Sequence, residues 1–373
     1  MATKLVFSDH VQNVFNQNET TYSEVKNLMF DLYRNELSDG ITKREAEEKL
    51  RALSQSIFGI DKNSSKRDRK RAYERHGREF FDVIEEVVDW TVTTGLTDNE
   101  WFNQLVEYKN LANGDENLFY QDHEEVILSI ARMGKRHHDT ILQRLPQGKT
   151  FSIETDLYGS AVGADIDRYL LGQEDWTALV DAITRAFVVK IQDMIFAEVY
   201  NAYSLIGTAV RSRFVQSGKL NDTNRAKFNK ILQNVSVANG NSPVTIFGTM
   251  VGLQELENLI KVNWIADSQK ESVASMGRLG NYGRYQLVEI PQRFARNDVT
   301  KDLYKDDVLF FFASGDNKLI SMVDVGETLI DEVTERGEAN GFIDDMMKYE
   351  VQREFGIATR LGRYFGQWTI TTE

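Results

Sequence analysis

The feature that most constrains this chain is a helical pattern that runs uninterrupted from about Asp175 to Ile206. Apolar side chains recur there at three- and four-residue spacing, no proline occurs, and the next glycine after Gly172 is Gly207. A thirty-residue helix spans about 45 Å, which is long for a domain of ordinary size. We therefore predict one long helix that serves as the backbone of a flat subunit.

Composition sets wider limits. A chain of 373 residues that is 41% apolar can bury a substantial core, and its length predicts two or three subdomains. The absence of cysteine excludes disulfides, thiolate zinc sites and a cysteine nucleophile, and it fits folding in a reducing cytoplasm. No apolar run reaches about 18 residues, and Met1 to Phe15 lacks a secretory pattern, so we expect neither a membrane span nor a signal peptide.

The net charge of -13 disfavours a general nucleic-acid binder, but the charge is unevenly placed. Asp61 to Glu79 is mainly basic, and Asp82 to Glu125 is acidic except for Lys109. The basic residues are Lys62, Lys66, Arg67, Arg69, Lys70, Arg71, Arg75 and Arg78. This pattern is typical of a solvated surface, of salt-sensitive docking between copies of the chain, or of a patch that faces nucleic acid.

The first hundred residues predict short helices. An apolar stripe from Tyr22 to Tyr33 indicates one helix, and Thr42 with Glu45 forms a capping-box pattern that opens the next. The apolar residues between Phe80 and Val88 predict a third helix, which ends near Gly95. Short, charge-rich helices of this kind are expected to pack on the rest of the molecule.

Strand patterns dominate elsewhere. Thr140–Leu145 and Thr150–Thr155 flank the turn Pro146–Lys149, which predicts a hairpin with little core of its own that needs a partner surface. A second group comprises three strands, one helix and a glycine-marked β region at the C-terminus. These are Val244–Gly248, Tyr285–Pro291, Asp307–Phe312, the helix Leu253–Ile260, and Met347–Ile370.

Motifs for nucleotide or metal chemistry are incomplete. Gly148-Lys149-Thr150 resembles the end of a phosphate-binding loop, but Gln143 stands where that loop needs another glycine. Gly277, Gly280 and Gly283 do not have the dinucleotide spacing and indicate a loop. His137 and His138 are adjacent, so their side chains diverge, and no third ligand has suitable spacing.

Asp165 and Asp167 would share a face of an extended segment, but such a pair is expected by chance among 57 acidic residues. No nucleophile-elbow or zinc-helix motif occurs, and only five histidines are present. We therefore predict no catalytic, cofactor-binding or metal site, and a structural role rather than an enzyme.

The order of these segments resembles the major capsid proteins of tailed bacteriophages, which have the Hong Kong 97-type fold. Thr150–Trp176 (TFSIETDLYGSAVGADIDRYLLGQEDW) resembles the second strand of the extended E-loop hairpin and the lead into the long spine helix. Ser242–Leu259 (SPVTIFGTMVGLQELENL) resembles the strand and helix of the axial domain. Asn281–Pro291 and Asp306–Asp316 resemble its further strands, and Met347–Ile370 resembles the closing peripheral strands.

The resemblance implies an α+β fold in four parts. They are an N-terminal helical arm at 1–125, the E-loop at 126–160, a peripheral domain at 161–216 and 342–373 that contains the spine helix, and an axial domain at 217–341. It further implies pentamers and hexamers of the chain that close an icosahedral head around double-stranded DNA. Scaffold, portal and decoration proteins are further expected partners, assembly would occur in the host cytoplasm, and the product would be the virion capsid.

Three other interpretations stay open. An encapsulin, which is a shell around enzyme cargo, would share the fold. A metal-dependent hydrolase would use Asp165 or Asp167, and a nucleic-acid-binding protein would act through Lys62 to Arg78.

Overall fold

The computed structural model describes fourteen stretches of the chain, to which all structural statements below refer. They are residues 7–17, 21–34, 37, 41–61, 63–112, 114–121, 148–164, 176–205, 208–259, 273–295, 298–313, 318–333, 347–359 and 364–371. The predicted strand Thr140–Leu145 lies outside them.

Helices and strands alternate irregularly along the described chain, as expected for an α+β fold. The helices are α1 Asp9–Gln17, α2 Tyr22–Arg34, α3 Lys43–Phe58, α4 Lys66–Thr97, α5 Glu100–Leu105, α6 Trp176–Leu205, α7 Thr208–Phe214, α8 Arg225–Ala238 and α9 Met250–Gln254, which a 3-10 turn extends over Glu255–Leu259. The strands are β1 Val106–Leu111, β2 Phe119–Gln121, β3 Lys149–Phe151, β4 Asp156–Ala164, β5 Val215–Gly218, β6 Val244–Gly248, β7 Asn281–Tyr282, β8 Tyr285–Glu289, β9 Phe294–Ala295, β10 Asp298–Asp302, β11 Val308–Ala313, β12 Ile320–Val333, β13 Met347–Thr359 and β14 Gly366–Ile370.

Two predicted helices are confirmed closely. The long helix appears as α6, which has 30 residues. Helix α3 begins behind the predicted capping box, in which the Thr42 side chain accepts from the Glu45 backbone N–H and the Glu45 carboxylate accepts from the Thr42 N–H. Both donors would otherwise lack a partner at the helix start. Gly59 ends α3 at a φ of 63°, in the left-handed region that glycine tolerates.

The expectation of only short N-terminal helices is wrong. Helix α4 has 32 residues, since it contains the basic segment from Lys66 as well as the predicted apolar part around Phe80. Its apolar side chains share one core with α6, β12 and β13, and Trp101 and Phe102 of α5 join that core. Residues 66–105, which fall within the helical arm expected over 1–125, therefore pack into the same core as α6.

A four-stranded sheet lies against α4 and α6. Its strand order is β1-β12-β13-β4, with β1 parallel to β12 and the other two pairs antiparallel. Strand β12 pairs with β1 on one side and with β13 on the other. The sheet is therefore built from segments that are far apart in the sequence.

A six-stranded sheet has the order β5-β14-β11-β6-β8-β7. Its central strand β11 is buried on both faces. Val308, Phe310 and Phe312 enter the core shared with α4 and α6, whereas Leu309 and Phe311 face a second core with α8 and Trp368. Burial on both sides explains why this strand is apolar at nearly every position.

The division into domains stays a prediction, but the strand pairing bears on where its boundaries would lie. β12, within the expected axial range 217–341, pairs with β13 of the expected peripheral range. β14, within the expected peripheral range 342–373, pairs with β11 and β5 in the six-stranded sheet. If each domain were defined by one sheet, β12 would therefore belong to the peripheral domain and β14 to the axial domain.

Gly356 on β13 lies where the segment after β3 crosses the sheet. A Cβ atom at this position would overlap the backbone carbonyl oxygen of Glu154 and lie 3.0 Å from Ile153 Cγ2. We expect Gly356→Ala to lower the free energy of unfolding by about 1–3 kcal/mol, since the obstacle is backbone that cannot rotate away. Urea denaturation of the subunit measures this loss.

Gly159 on the adjacent strand β4 provides the control, because a Cβ there would meet ordinary contacts at 3.4 Å or more. Gly159→Ala should change stability by about 0.5 kcal/mol or less. Equal effects of the two substitutions would contradict the close crossing at Gly356.

Candidate functional site

The motifs that the sequence analysis set aside do not assemble into a site within the described residues. Lys149 and Thr150 lie in β3, paired with Gln121 and Tyr120, whereas a phosphate-binding lysine would stand at the start of a helix. Gly283 forms the tight turn between β7 and β8 at a φ of 60°. His137, His138, Asp165 and Asp167 lie outside the described residues.

The most elaborate polar cluster is a buried charge network around Arg353 of β13. Arg353 is 2% exposed, and its guanidinium donates to both carboxylate oxygens of Asp324 on β12. It also donates to Asp89 of α4 at 2.7 Å and to the Thr328 hydroxyl at 3.0 Å. Tyr108 of β1 donates to Asp324 at 2.9 Å, so the network joins one helix to three strands.

A β-bulge makes room for this network. Between the pairs Val325–Glu354 and Leu329–Gln352, β12 advances by four residues and β13 by two. Gly326 lies inside the bulge at a φ of 75°, which favours glycine. Arg353 is opposite the bulge, where the Thr328 hydroxyl donates to Asp89 at 3.1 Å and also accepts from Arg353.

The electrostatics indicate a structural role. Burial raises the pKa of the Asp89 carboxyl, and the Arg353 charge opposes that rise. Burial would lower the pKa of Arg353, but Asp324 and Asp89 outweigh it and raise the pKa above its usual value. Burial and Asp324 raise the pKa of Tyr108. The raised pKa of Arg353 keeps its guanidinium charged, so it acts as a fixed cation between Asp324 and Asp89 rather than as a proton donor.

A smaller cluster connects α1 to α4 and contains the side chains that come nearest to a metal-ligand set among the described residues. The possible ligand atoms of His10, His76 and Glu79 lie within 4.8 Å of one another. His10 Nε2 donates to the Ile57 carbonyl at 2.8 Å, and His76 Nδ1 lies 2.7 Å from Glu79 Oε2. Burial would raise the pKa of Glu79, but hydrogen bonds from His76 and Ser8 outweigh it and lower the pKa.

The two imidazole rings in this cluster are stacked, with centroids 4.3 Å apart and planes 23° apart. A metal ion binds each histidine in the plane of its ring, and two nearly parallel stacked rings do not direct their nitrogens at one point. The geometry therefore favours an anchor between α1 and α4 over a metal site.

Two small two-stranded ladders lie outside both larger sheets. Strand β2 pairs with β3, and β9 pairs with β10. Both ladders expose large apolar side chains to solvent, and so does the neighbouring strand β4. These exposed residues are Leu118, Tyr120, Leu157, Phe294 and Val299. Exposed apolar side chains at such positions are typical of surfaces that contact another chain.

The ladder β2–β3 has a small core beneath it. Phe119 is fully buried and stacks on Phe151 at 5.7 Å, while Lys109 Nζ lies 4.1 Å above the Phe119 ring. This cluster holds together the two strands that enter and leave residues 122–148. The partner of β3 within the described residues is therefore Phe119–Gln121, whereas the predicted partner Thr140–Leu145 lies outside them. Lys149, which was predicted in the turn, belongs to β3, and the strand ends at Phe151 rather than Thr155.

The Arg353 network is not among the sites predicted from sequence, although one signal of it is present. Asp324 is a lone charge within the apolar run from Ile320 to Val325, and a charge at a buried strand position requires a partner. The partners could not be identified from sequence, because Asp89 and Arg353 are 264 positions apart.

No described helix is both long and apolar enough to cross a membrane. A search of curated proteins gives no match. The family model described as "SPbeta prophage-derived putative capsid protein YonB" matches residues 24–369.

Solved structures give distant similarities. The capsid of cyanophage P-SCSP1u is 10% identical, with 73% of this chain and 88% of that chain covered, at a TM-score of 0.47. The mature capsid of bacteriophage PhiM1 is 9% identical, with 74% of this chain and 88% of that chain covered, at a TM-score of 0.44. The virus-like particle from Pyrococcus furiosus is 11% identical, with 76% of this chain and 98% of that chain covered, at a TM-score of 0.41.

Proposed function

Because this chain belongs to the YonB family of prophage-derived capsid proteins, we propose that its copies assemble as pentamers and hexamers into the icosahedral head of a tailed phage. The match over residues 24–369 is the observation that carries this proposal, since it spans almost all of the described structure. The predicted membership of the tailed-phage major capsid proteins is confirmed by this match, and the chain is a capsid shell protein. Its α+β architecture, with the spine helix α6 and two sheets, has the predicted Hong Kong 97-type character.

Self-assembly is supported by the surfaces described above. Ladders β2–β3 and β9–β10 present apolar side chains to solvent, among them Val299, which is 75% exposed. An isolated two-stranded ladder is only marginally stable, so contact with a neighbouring subunit would stabilise both of them. In this proposal the E-loop expected over 126–160 contacts an adjacent subunit.

A purely structural role is the second part of the proposal. The most extensive polar network in the described residues is centred on the buried Arg353 and Asp324, and the raised pKa of Arg353 keeps that side chain a cation. We expect no catalytic activity and no requirement for a cofactor or metal. Packaged double-stranded DNA, a scaffold, a portal and decoration proteins are the proposed partners, and assembly would take place in the host cytoplasm.

Electron microscopy of the full chain, expressed alone and purified by size-exclusion chromatography, tests the proposal. Closed shells, capsomer rings or flat sheets are the expected products, because the interfaces of a shell subunit are large in total. A monomer that stays unassembled both alone and with a co-expressed scaffold would contradict it. Shells that enclose host enzymes instead of DNA would favour the encapsulin interpretation.

The hydrolase interpretation makes a different prediction for the same preparation. It requires activity that is lost on substituting Asp165 or Asp167 with alanine, whereas a shell protein should assemble normally with either substitution.

A further inference from the structure

We propose that the exposed basic side of the first half of α4 binds the phosphate backbone of double-stranded nucleic acid inside the shell. This basic face is defined by Arg67, Lys70, Arg71, Arg75 and Arg78, and the inference rests on the proposed function as a DNA-enclosing shell subunit.

Helical geometry places the five cations of the basic face on one side of α4. Arg67, Arg71, Arg75 and Arg78 recur at spacings of four and three residues, Lys70 lies at the edge of the same side, and all five are exposed. The buried Ala72 and Phe80 lie away from this side. From residue 67 to residue 78 the face extends about 17 Å, over which a duplex presents about ten phosphate charges.

These cations have no carboxylate partner within ion-pair distance among the described residues. The pairs formed by other cations of the N-terminal helices involve Arg34 with Asp98, Lys43 with Glu47 and Arg44 with Glu48. In a chain with 57 acidic residues and a net charge of -13, a row of five exposed cations without such pairs is unusual. It indicates an anionic partner outside the subunit.

Five acidic residues of the segment that follows the basic face are engaged within the subunit. Glu85 accepts from the Ile330 backbone N–H at 2.7 Å, and Glu86 accepts from Tyr22. Asp89 binds Arg353, Asp98 pairs with Arg34, and Glu100 accepts from Gln286 at 2.6 Å. This segment is therefore a poor docking partner for the basic face of another copy, which favours nucleic acid among the interpretations considered from sequence.

The basic face is also rigidly held. The Ser65 side chain caps α4 by accepting from the Asp68 backbone N–H, and the second half of the helix is fixed by the core and by Asp89. Four of the five cations are arginines, whose planar guanidinium groups match the geometry of phosphate oxygens. Between residues 67 and 78, Glu74 is the exposed carboxylate that lies on the same side as the cations. One negative charge among five positive charges leaves the basic face strongly positive.

The test compares two triple charge reversals in the full chain. One variant carries Arg67→Glu, Arg71→Glu and Arg75→Glu on the basic face. The matched control carries Arg211→Glu, Lys219→Glu and Lys227→Glu, which are exposed cations near the six-stranded sheet, so both variants have the same net charge. Fluorescence anisotropy with a labelled duplex of about three helical turns measures binding over a range of salt concentrations.

Wild-type binding should weaken steeply with salt. The basic-face variant should reduce the slope of log affinity against log salt by about 3, and its affinity should fall at least about tenfold near 0.1 M salt. The control should keep the wild-type slope. The inference is overturned if wild type shows no salt-dependent binding, if the basic-face variant binds like wild type, or if both triples lose binding equally.

Electron microscopy of the same three proteins separates this inference from the proposed function. Both triples should still form the assemblies that wild type forms. If only the basic-face variant fails to assemble, the face contacts another subunit and the inference is wrong. If wild type itself forms no assemblies with or without scaffold, the proposed function fails whatever the binding results.

Discussion

Replacing Arg353 with methionine is expected to lower the free energy of unfolding of the subunit by about 3–5 kcal/mol. The substitution keeps most of the side-chain volume but leaves Asp324, which is 2% exposed, and the largely buried Asp89 without their cation. An uncompensated charge in a buried position is costly, and two carboxylates would remain in one pocket. Urea denaturation followed by tryptophan fluorescence measures the loss, since Trp90 lies on α4 beside the network.

Arg278→Met provides the matched control. Arg278 makes one ion pair, with Glu289 at 3.0 Å, and the glutamate side chain is 37% exposed. The Arg278 side chain is 12% exposed, but water can solvate the Glu289 carboxylate once the pair is lost, so the substitution should cost about 1 kcal/mol. If Arg353→Met were no more destabilising than this control, the network would not be what holds α4 to the sheet.

Combining Arg353→Met with Asp324→Asn and Asp89→Asn should restore part of the lost stability, because the two carboxylates that lack a cation are then removed together. A triple variant that is even less stable than Arg353→Met would attribute the effect to packing rather than to charge.

Shortening the segment between β2 and β3 is expected to abolish assembly while leaving the subunit folded. Deleting residues 136–146 keeps both strands and the Phe119–Phe151 contact that holds the base together. Loop length itself contributes little to stability, so thermal unfolding should change by only a few degrees. Size-exclusion chromatography and electron microscopy report assembly, and circular dichroism reports the fold.

A second variant fills the same positions with glycine and serine at equal length. Its failure to assemble would show that the native side chains, and not merely the reach of the loop, are required. Normal shells from the deletion variant would refute the assignment of this segment as the E-loop.

Sequence patterns predicted the elements whose periodicity is complete. Helix α6 was predicted because its apolar residues keep helical spacing along its whole length, and strand β11 because nearly every residue in it is apolar. Helix α8 was not singled out, although Phe228, Ile231, Leu232 and Val235 have helical spacing.

Other elements could not be found because their pattern is broken for a structural reason. Strand β12 loses its alternation at the bulge around Gly326 and carries a buried Asp324, so it does not resemble a strand locally. The first half of α4 has few apolar residues, and the network of Asp89, Asp324 and Arg353 depends on contacts between distant segments. Such contacts are set by the tertiary fold, which local propensity does not encode.

The pairing of β1 with β12 has a consequence for how the subunit is made. Val106 pairs with Ile320, and Arg353 binds Asp89, so the four-stranded sheet and its Arg353 network cannot form until residue 353 has left the ribosome. Folding that waits for such distant partners is slow. Helix α4 and strand β1 therefore leave the ribosome well before β12 and β13, the partners that bury them.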